Sequence, residues 1–278
     1  MSDAEREVSE VQNLETPEDV QGDVSPTADA ADQVPLRRLK ELARRDDLRL
    51  ISRPGLRVLF LCLRLDRAPF SDPRVREALD LALDRQELVR RALDGHGEPA
   101  SQIVPPSSVG HPPRLPLTAR DTARARALLA AAGHPDGLDL RLDGPNNRYV
   151  NDTAILAEVA RQLGEVGVRV QVNAVDKAEF FAQTAAGRSV FWLVGWSCEA
   201  GDAGDALDSL AHSRNGGGYG DGNEVALADH VLDSLIEKAN ASRDAGARSE
   251  RLQAAMERLT ALRAYLPLHV QHESVMIS

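Results

Sequence analysis

Three short apolar segments alternate with two amphipathic segments between residues 138 and 196. The apolar segments are 138–142, 168–173 and 190–196, and the segments between them, 152–166 and 177–186, repeat apolar residues at helical spacing. A strand, a helix and a second strand of these lengths form a right-handed crossover, which makes the two strands parallel. Residues 190–196 are nearly all apolar, which is typical of a strand covered on both faces. The chain is therefore predicted to have an α/β fold, with a mainly parallel sheet flanked by helices and residues 190–196 at its centre.

Local signals in the first half of the chain predict a turn and the start of a helix. A Pro-Gly pair at 54–55 separates two apolar segments, 48–52 and 57–65, and predicts a turn between two strands. Asp84 and Glu87 have the spacing of a capping box, in which the first side chain accepts a hydrogen bond from the backbone of the second. A helix is therefore expected to begin after Asp84.

Charge and hydropathy argue against two classes of partner. The chain has a net charge of −10, and its arginines are scattered without forming a basic stripe, so nucleic acid is not expected to bind. The longest apolar runs, 58–63 and (apart from its glycine) 190–196, are far shorter than the roughly 20 residues of a membrane-spanning helix. No membrane span is predicted.

The amino-terminal segment differs from the remainder in composition. Residues 1–34 are polar, acidic and poor in large apolar side chains, so they bury too little surface to offset the entropy of ordering. An acidic flexible tail or remnant is expected there. The segment also lacks the basic start and apolar stretch of a secretory signal, so no signal peptide is expected in this chain.

The sequence shows no pattern typical of catalysis, a metal site or a cofactor. Its seven histidines are dispersed, and His269 and His272 would lie on opposite faces of a strand. Residues 216–222 are rich in glycine but lack the Lys-Ser/Thr pair of a phosphate-binding loop. The two cysteines, Cys62 and Cys198, are predicted to be buried thiols, although the sequence leaves open whether they pair. We therefore expect no enzyme activity, no metal and no cofactor.

Several motifs resemble those of the bacterial extracellular solute-binding proteins of family 5, which serve peptide and nickel ABC importers. The resemblance extends over roughly residues 36 to 272 and is most specific in the first two of its motifs. The motifs are PFSDPRVREAL at 69–79, ALDR at 82–85, Gly95, Pro105-Pro106, ALLAAAG at 127–133, QLGEVGV at 162–168, Gly195-Trp196 and Leu266-Pro267-Leu268.

The resemblance implies a fold, a function and a set of partners. The implied fold is a periplasmic-binding-protein-like (type II) lobe, with residues 57–272 as the C-terminal ligand-binding lobe, 35–56 as a remnant of the first lobe or hinge, and 273–278 as a truncated C-terminal end. The implied function is the substrate-binding component of an ABC importer for peptides or a related small solute. Its partners would be that solute, an ABC permease and the missing N-terminal lobe, in a periplasmic or extracytoplasmic location.

Two other functions remain open from the sequence. The face that would meet the missing lobe could make the chain a protein-interaction or dimerisation module. An enzyme on an α/β scaffold is a further alternative, because fold alone does not exclude one.

Candidate ligand-binding residues follow the predicted central strand. Ligands of parallel sheets bind beyond the carboxyl ends of the strands, where Trp196 ends the segment 190–196. Glu199 and Asp202 come next, and their charge suits an ammonium group, a role that the resemblance implies for one of them. The two acids compete for that role, and Asp202 could instead cap the next helix. Trp196 could equally be a core residue.

The glycine-rich segment supplies two further candidates. Tyr219 and Asn223 lie in or beside a predicted rim loop, where the resemblance implies contact with ligand in some relatives. The alternative is a mobile loop without such contacts.

Overall fold

The computed structural model describes residues 12–13, 30–32, 36, 38, 44–45 and 47–277. The chain forms two compact units, one of Met1–Gly55 with His272–Ser278 and the other of Leu56–Gln271. Most of the predicted acidic tail, residues 1–34, lies outside the described residues. In the first unit, Ala30 to Asp32 pair antiparallel with Ile277 to Val275.

The described elements have the following bounds. The strands are β1 (Gln12–Asn13), β2 (Ala30–Asp32), β3 (Arg49–Leu63), β4 (Gly97–Pro99), β5 (Leu138–Pro145), β6 (Val168–Val175), β7 (Phe191–Ser197) and β8 (Tyr265–Ile277). The helices are α1 (Pro73–Ala82), α2 (Arg85–Ala92), α3 (Thr122–Ala131), α4 (Asp152–Gly164), α5 (Lys177–Ala185), α6 (Ala203–Ala206, continued by a π-helical turn at Leu207–Ala211), α7 (His230–Asn240) and α8 (Ala245–Leu262).

The predicted crossovers are present in the larger unit. Strand β5 pairs in parallel with β6 along its whole length, from Leu138 opposite Val168 to Pro145 opposite Val175. It also pairs in parallel with β7 on its other side, where Asp143 lies opposite Trp192. Helices α4 and α5 connect these three strands in chain order, so the parallel arrangement that the sequence predicted is confirmed.

Strand β7 lies in the interior of the sheet, as its apolar sequence predicts. The strand order in the larger unit is β8-β3-β7-β5-β6, with β4 paired to β8. Strand β3 runs antiparallel to β7 over seven residue pairs, and β4 runs antiparallel to β8. Among the described strands of the larger unit, parallel pairing is therefore limited to β5, β6 and β7, and the sheet is mixed.

The predicted turn at the Pro-Gly pair 54–55 is wrong. Strand β3 continues through both residues from Arg49 to Leu63. The fixed φ of proline is compatible with extended backbone, and Pro54 is exposed, where a strand tolerates a residue without a backbone donor.

The predicted start of α2 is confirmed. Asp84 is its N-cap, and its Oδ1 accepts a hydrogen bond from the backbone N–H of Glu87 at 2.8 Å. None of the helices in the described part of the chain is long and apolar enough to cross a membrane.

A buried ion pair connects the first two helices of the larger unit. Asp80 and Arg85 are only 5% and 3% exposed, and the Arg85 guanidinium donates to Asp80 Oδ1 at 2.5 Å. Arg85 Nε also donates to the carbonyl of Pro267 in β8 at 2.6 Å. The second carboxylate oxygen of Asp80 accepts from Thr118 and Arg263, so both charged groups are well satisfied.

We expect Arg85→Met to lower the free energy of unfolding by about 3–5 kcal/mol, because it leaves the buried Asp80 carboxylate without its main partner. The matched control is Arg169→Met. Arg169 pairs with Asp139, but the two side chains are 60% and 77% exposed, so the loss there should be below about 1 kcal/mol. Urea unfolding followed by circular dichroism measures both, and equal losses would contradict the prediction.

Candidate functional site

A cavity of about 260 Å³ lies against one face of the sheet in the larger unit. Alternate residues of a strand share a face, and Trp192, Val194 and Trp196 of β7 all line this cavity. Two residues of β3 line it as well, because Cys62 lies opposite Trp192 and Phe60 lies opposite Val194 in the strand register. The floor of the cavity is therefore set by the pairing of β3 with β7.

The walls of the cavity come from elements that cover this face. Helix α5 contributes Phe180, Phe181 and Thr184, and the two phenylalanine rings contact each other with their centroids 5.1 Å apart. The cap of α5 is Asp176, whose side chain accepts a hydrogen bond from the backbone of Ala178. The remaining lining residues are Arg148, Tyr149, Gly195, Leu210, Gly222, Glu224, Val225 and Tyr265.

Tyr149 connects the loop that follows β5 to β7, the strand that contains Gly195. Its hydroxyl accepts a hydrogen bond from the backbone N–H of Gly195 at 3.0 Å. A Cβ at Gly195 would lie 3.0 Å from the Tyr149 ring, so glycine allows this close approach. Burial raises the pKa of the Tyr149 hydroxyl, which the hydrogen bond from Gly195 partly opposes. The guanidinium of Arg148 lies over the Tyr149 ring, 5.4 Å from its centroid.

Two polar groups of the cavity have no protein partner among the described residues. The indole N–H of Trp196 is buried and makes no hydrogen bond. The carboxylate of Glu224 makes no hydrogen bond or ion pair with the described residues, and partial burial raises its pKa. These groups offer one donor and one acceptor to a molecule that enters the cavity.

Among the five residues predicted to bind ligand, only Trp196 lines the cavity. Its side chain also packs against the main hydrophobic core, which agrees with the core alternative considered from the sequence, whereas contact with a ligand stays a prediction. Glu199 is exposed and lies outside the cavity lining.

Asp202 has a structural role. It is the N-cap of α6, where its Oδ1 accepts from the backbone N–H of Gly204 at 2.7 Å. Both of its oxygens also accept hydrogen bonds from the guanidinium of Arg248, at 2.9 and 3.2 Å. The capping alternative is therefore present in the structure, together with an ion pair that the sequence did not indicate.

Tyr219 and Asn223 also lie outside the cavity lining. The ring of Tyr219 stacks on that of His212, with a centroid distance of 4.3 Å. Asn223 is 4% exposed, and its amide donates to the carbonyls of His212 and Leu227 while its carbonyl accepts from the backbone of Leu227. Through these hydrogen bonds, Asn223 connects His212 with Leu227, which lie on either side of the glycine-rich segment 216–222.

The cysteines are both buried and unpaired. Ser108 donates a hydrogen bond to Cys198 Sγ at 3.2 Å, while Cys62 lines the cavity. In the part of the chain that the structure describes, no group of three or more His, Cys, Asp or Glu side chains could hold a metal ion.

Tyr149 and Glu224, which line the cavity, were not predicted from the sequence. Tyr149 follows β5, a parallel strand beside β7, so the rule that places ligands at the carboxyl ends of strands could have found it. Glu224 lies directly after Asn223, and no pattern in the sequence indicates that its side chain reaches the cavity.

The chain belongs to the family described as bacterial extracellular solute-binding proteins, family 5, whose middle-region profile matches residues 24–218. Among curated relatives, the glutathione-binding protein GsiB of Salmonella typhimurium is 32% identical over 188 residues, which cover 66% of this chain and 36% of that protein. GsiB of Escherichia coli strain K12 is 31% identical over 188 residues, which again cover 66% of this chain and 36% of that protein. This chain therefore matches about a third of the length of these relatives.

Solved structures share the fold. DppA from Helicobacter pylori, a periplasmic binding protein in complex with the peptide STSA, has a TM-score of 0.81 at 19% identity, over 90% of this chain and 48% of that one. The dipeptide-binding protein from Pseudoalteromonas sp. SM9913, in complex with Met-Leu, has a TM-score of 0.78 at 24% identity. The match covers 90% of this chain and 50% of that one. The predicted α/β, periplasmic-binding-protein-like fold is confirmed.

We expect Asn223→Ala to lower the free energy of unfolding by about 1–3 kcal/mol in the absence of any ligand, because it leaves buried backbone groups unpaired. The control is Asn215→Ala, which removes one exposed hydrogen bond to Gly217 and should change stability by less than about 0.5 kcal/mol. Thermal or urea unfolding measures both. Unchanged stability of the Asn223 variant would contradict a structural role.

Proposed function

We propose that this chain contributes one lobe of a solute-binding protein of an ABC importer, with the cavity beside Trp196 as its half of the ligand site. The single observation that supports this most is the position of the cavity. It lies at the face where β7 and the loop after β5 bring Trp196 and Tyr149 together, near the carboxyl ends of two parallel strands.

The ligand that we propose is a peptide or a related small solute. Relatives named for glutathione and structures that hold the peptide STSA or Met-Leu support this class of ligand. The aromatic walls suit apolar parts of such a ligand, while the free indole N–H and the carboxylate suit its polar groups.

The further partners in this proposal are a second lobe, which supplies the other wall of the cleft, and an ABC permease that receives the solute in a periplasmic or extracytoplasmic setting. We assign the lobe to residues 57–272, with 35–56 as part of the first lobe or hinge. The coverage of about half of each structural relative supports this assignment. Binding would come from closure of the two lobes, without chemical change of the solute.

Calorimetric titration of the full two-lobed protein, which combines this chain with the second lobe, with a mixture of di- and tripeptides tests this function. We expect saturable binding, and we expect Trp196→Ala to weaken it by about tenfold, because the indole loses its contact with the ligand. The control is Val231→Ala, since Val231 is 59% exposed and lies outside the cavity lining.

Fluorescence gives an independent readout at the same residue. The chain has two tryptophans, so Trp192→Phe leaves Trp196 as the only indole, and its emission should change with peptide concentration. Absence of both heat and emission change would overturn the proposal. Self-association on size-exclusion chromatography together with that result would instead favour a dimerisation module.

A further inference from the structure

Asn215 and Gly216 form an asparagine-glycine pair that occurs once in the chain. Both residues are exposed, at the start of the glycine-rich segment. In such a pair, the backbone nitrogen of the second residue can attack the side-chain amide carbon of the first. Glycine hinders this attack least, because it has no Cβ. The pair therefore places a nucleophile and an electrophile on adjacent residues.

The side chain of Asn215 is folded back over the backbone that follows it. Its Oδ1 accepts a hydrogen bond from the backbone N–H of Gly217 at 2.8 Å, in the turn that asparagine forms with the backbone two residues on. A Cβ on Gly217 would lie 3.8 Å from the amide carbon of Asn215, so this carbon lies close to the intervening backbone. The donor at Oδ1 also stabilises the negative charge that this oxygen gains when the carbon is attacked.

The peptide nitrogen of Gly216 is available for this attack. Among the residues that the structure describes, no group accepts a hydrogen bond from it. Because Gly216 is exposed, water or hydroxide can remove its proton. Neither burial nor a hydrogen bond therefore protects the reacting nitrogen.

A second exposed asparagine, Asn147, has the opposite geometry. Its Oδ1 accepts from the backbone N–H of Lys177 at 2.8 Å, and its Nδ2 donates to Asp176 at 2.7 Å. The nitrogen of the next residue, Arg148, donates to Asp152 Oδ2 at 2.9 Å. Both reacting groups are held by other partners, which opposes the same attack.

We propose that Asn215 is a site of spontaneous deamidation, with water as the co-reactant. The nitrogen of Gly216 gives up its proton and forms a bond to Cγ of Asn215, and the side-chain amide nitrogen takes up a proton and leaves as ammonia. Water then opens the cyclic imide at one of its two carbonyls, which leaves aspartate or isoaspartate. This inference does not depend on the proposed function.

The modification changes the charge and the backbone of the glycine-rich segment. Either product adds one negative charge beside Arg214, and isoaspartate also adds a methylene group to the main chain. The hydrogen bond from Asn223 to His212 joins residues on the two sides of Asn215, so the change should stay within the segment. We therefore expect Asn215→Asp, which matches one product, to keep the wild-type midpoint of urea unfolding.

Incubation of the whole chain in mildly alkaline buffer, followed by digestion with pepsin in acid and mass spectrometry, measures the loss of each amide. We expect Asn215 to lose its amide at least about tenfold faster than Asn147 in the same sample. The loss should be slower in mildly acidic buffer, because the attacking nitrogen must give up its proton. Chromatography against synthetic standards separates aspartate from isoaspartate.

Arg148→Gly is the matched control, because it creates a second asparagine-glycine pair at 147 without the reactive geometry. Glycine keeps the backbone N–H that bonds to Asp152, so Asn147 should remain at least about tenfold slower than Asn215 in the folded variant. In concentrated urea the two pairs should react within about threefold of each other, because unfolding removes both geometries. Circular dichroism before incubation shows that the variant is folded.

Two results would overturn the inference. One is equal rates at Asn147 and Asn215 in folded Arg148→Gly, which would mean that the sequence alone decides the rate. The other needs only the wild-type chain, and so serves even if the variant does not fold: an amide at Asn215 that persists in the folded chain but is lost in urea.

Discussion

The pairing of β7 with its two neighbours is the constraint on which the site depends. Seven residue pairs fix its register against β3, and β5 lies on its other side. Because side chains alternate between the faces of a strand, a shift of one residue would move both tryptophans to the opposite face. The apolar sequence of β7 and its interior position therefore determine where the cavity can form.

The part of the cavity lining that Gly222, Glu224 and Val225 supply depends on a different kind of interaction. Hydrogen bonds from the buried amide of Asn223 to His212 and Leu227 close the glycine-rich segment on itself. This clamp fixes the backbone directly before Glu224. A side chain predicted to touch ligand thus has a supporting role, and its neighbour in sequence supplies the charge that faces the cavity.

Family membership and geometry address different parts of the function. The family profile and the shared fold establish the family and the fold of this chain, which spans about half of the length of the structural relatives. The geometry of the cavity describes the groups on its surface. The cavity presents aromatic walls, a free indole N–H, one carboxylate and the guanidinium of Arg148.

The sequence by itself determined the crossovers of β5, β6 and β7, the interior place of β7 and the cap at Asp84, because these follow from periodicity and from contacts within a few residues. It mispredicted a turn at Pro54, since an exposed strand position tolerates proline. Only the tertiary structure decided that Tyr149 bonds to Gly195, that Asp202 pairs with Arg248 and that Glu224 reaches the cavity. Those contacts join segments from separate elements, and their geometry depends on how helices and loops pack over the sheet, which no local pattern encodes.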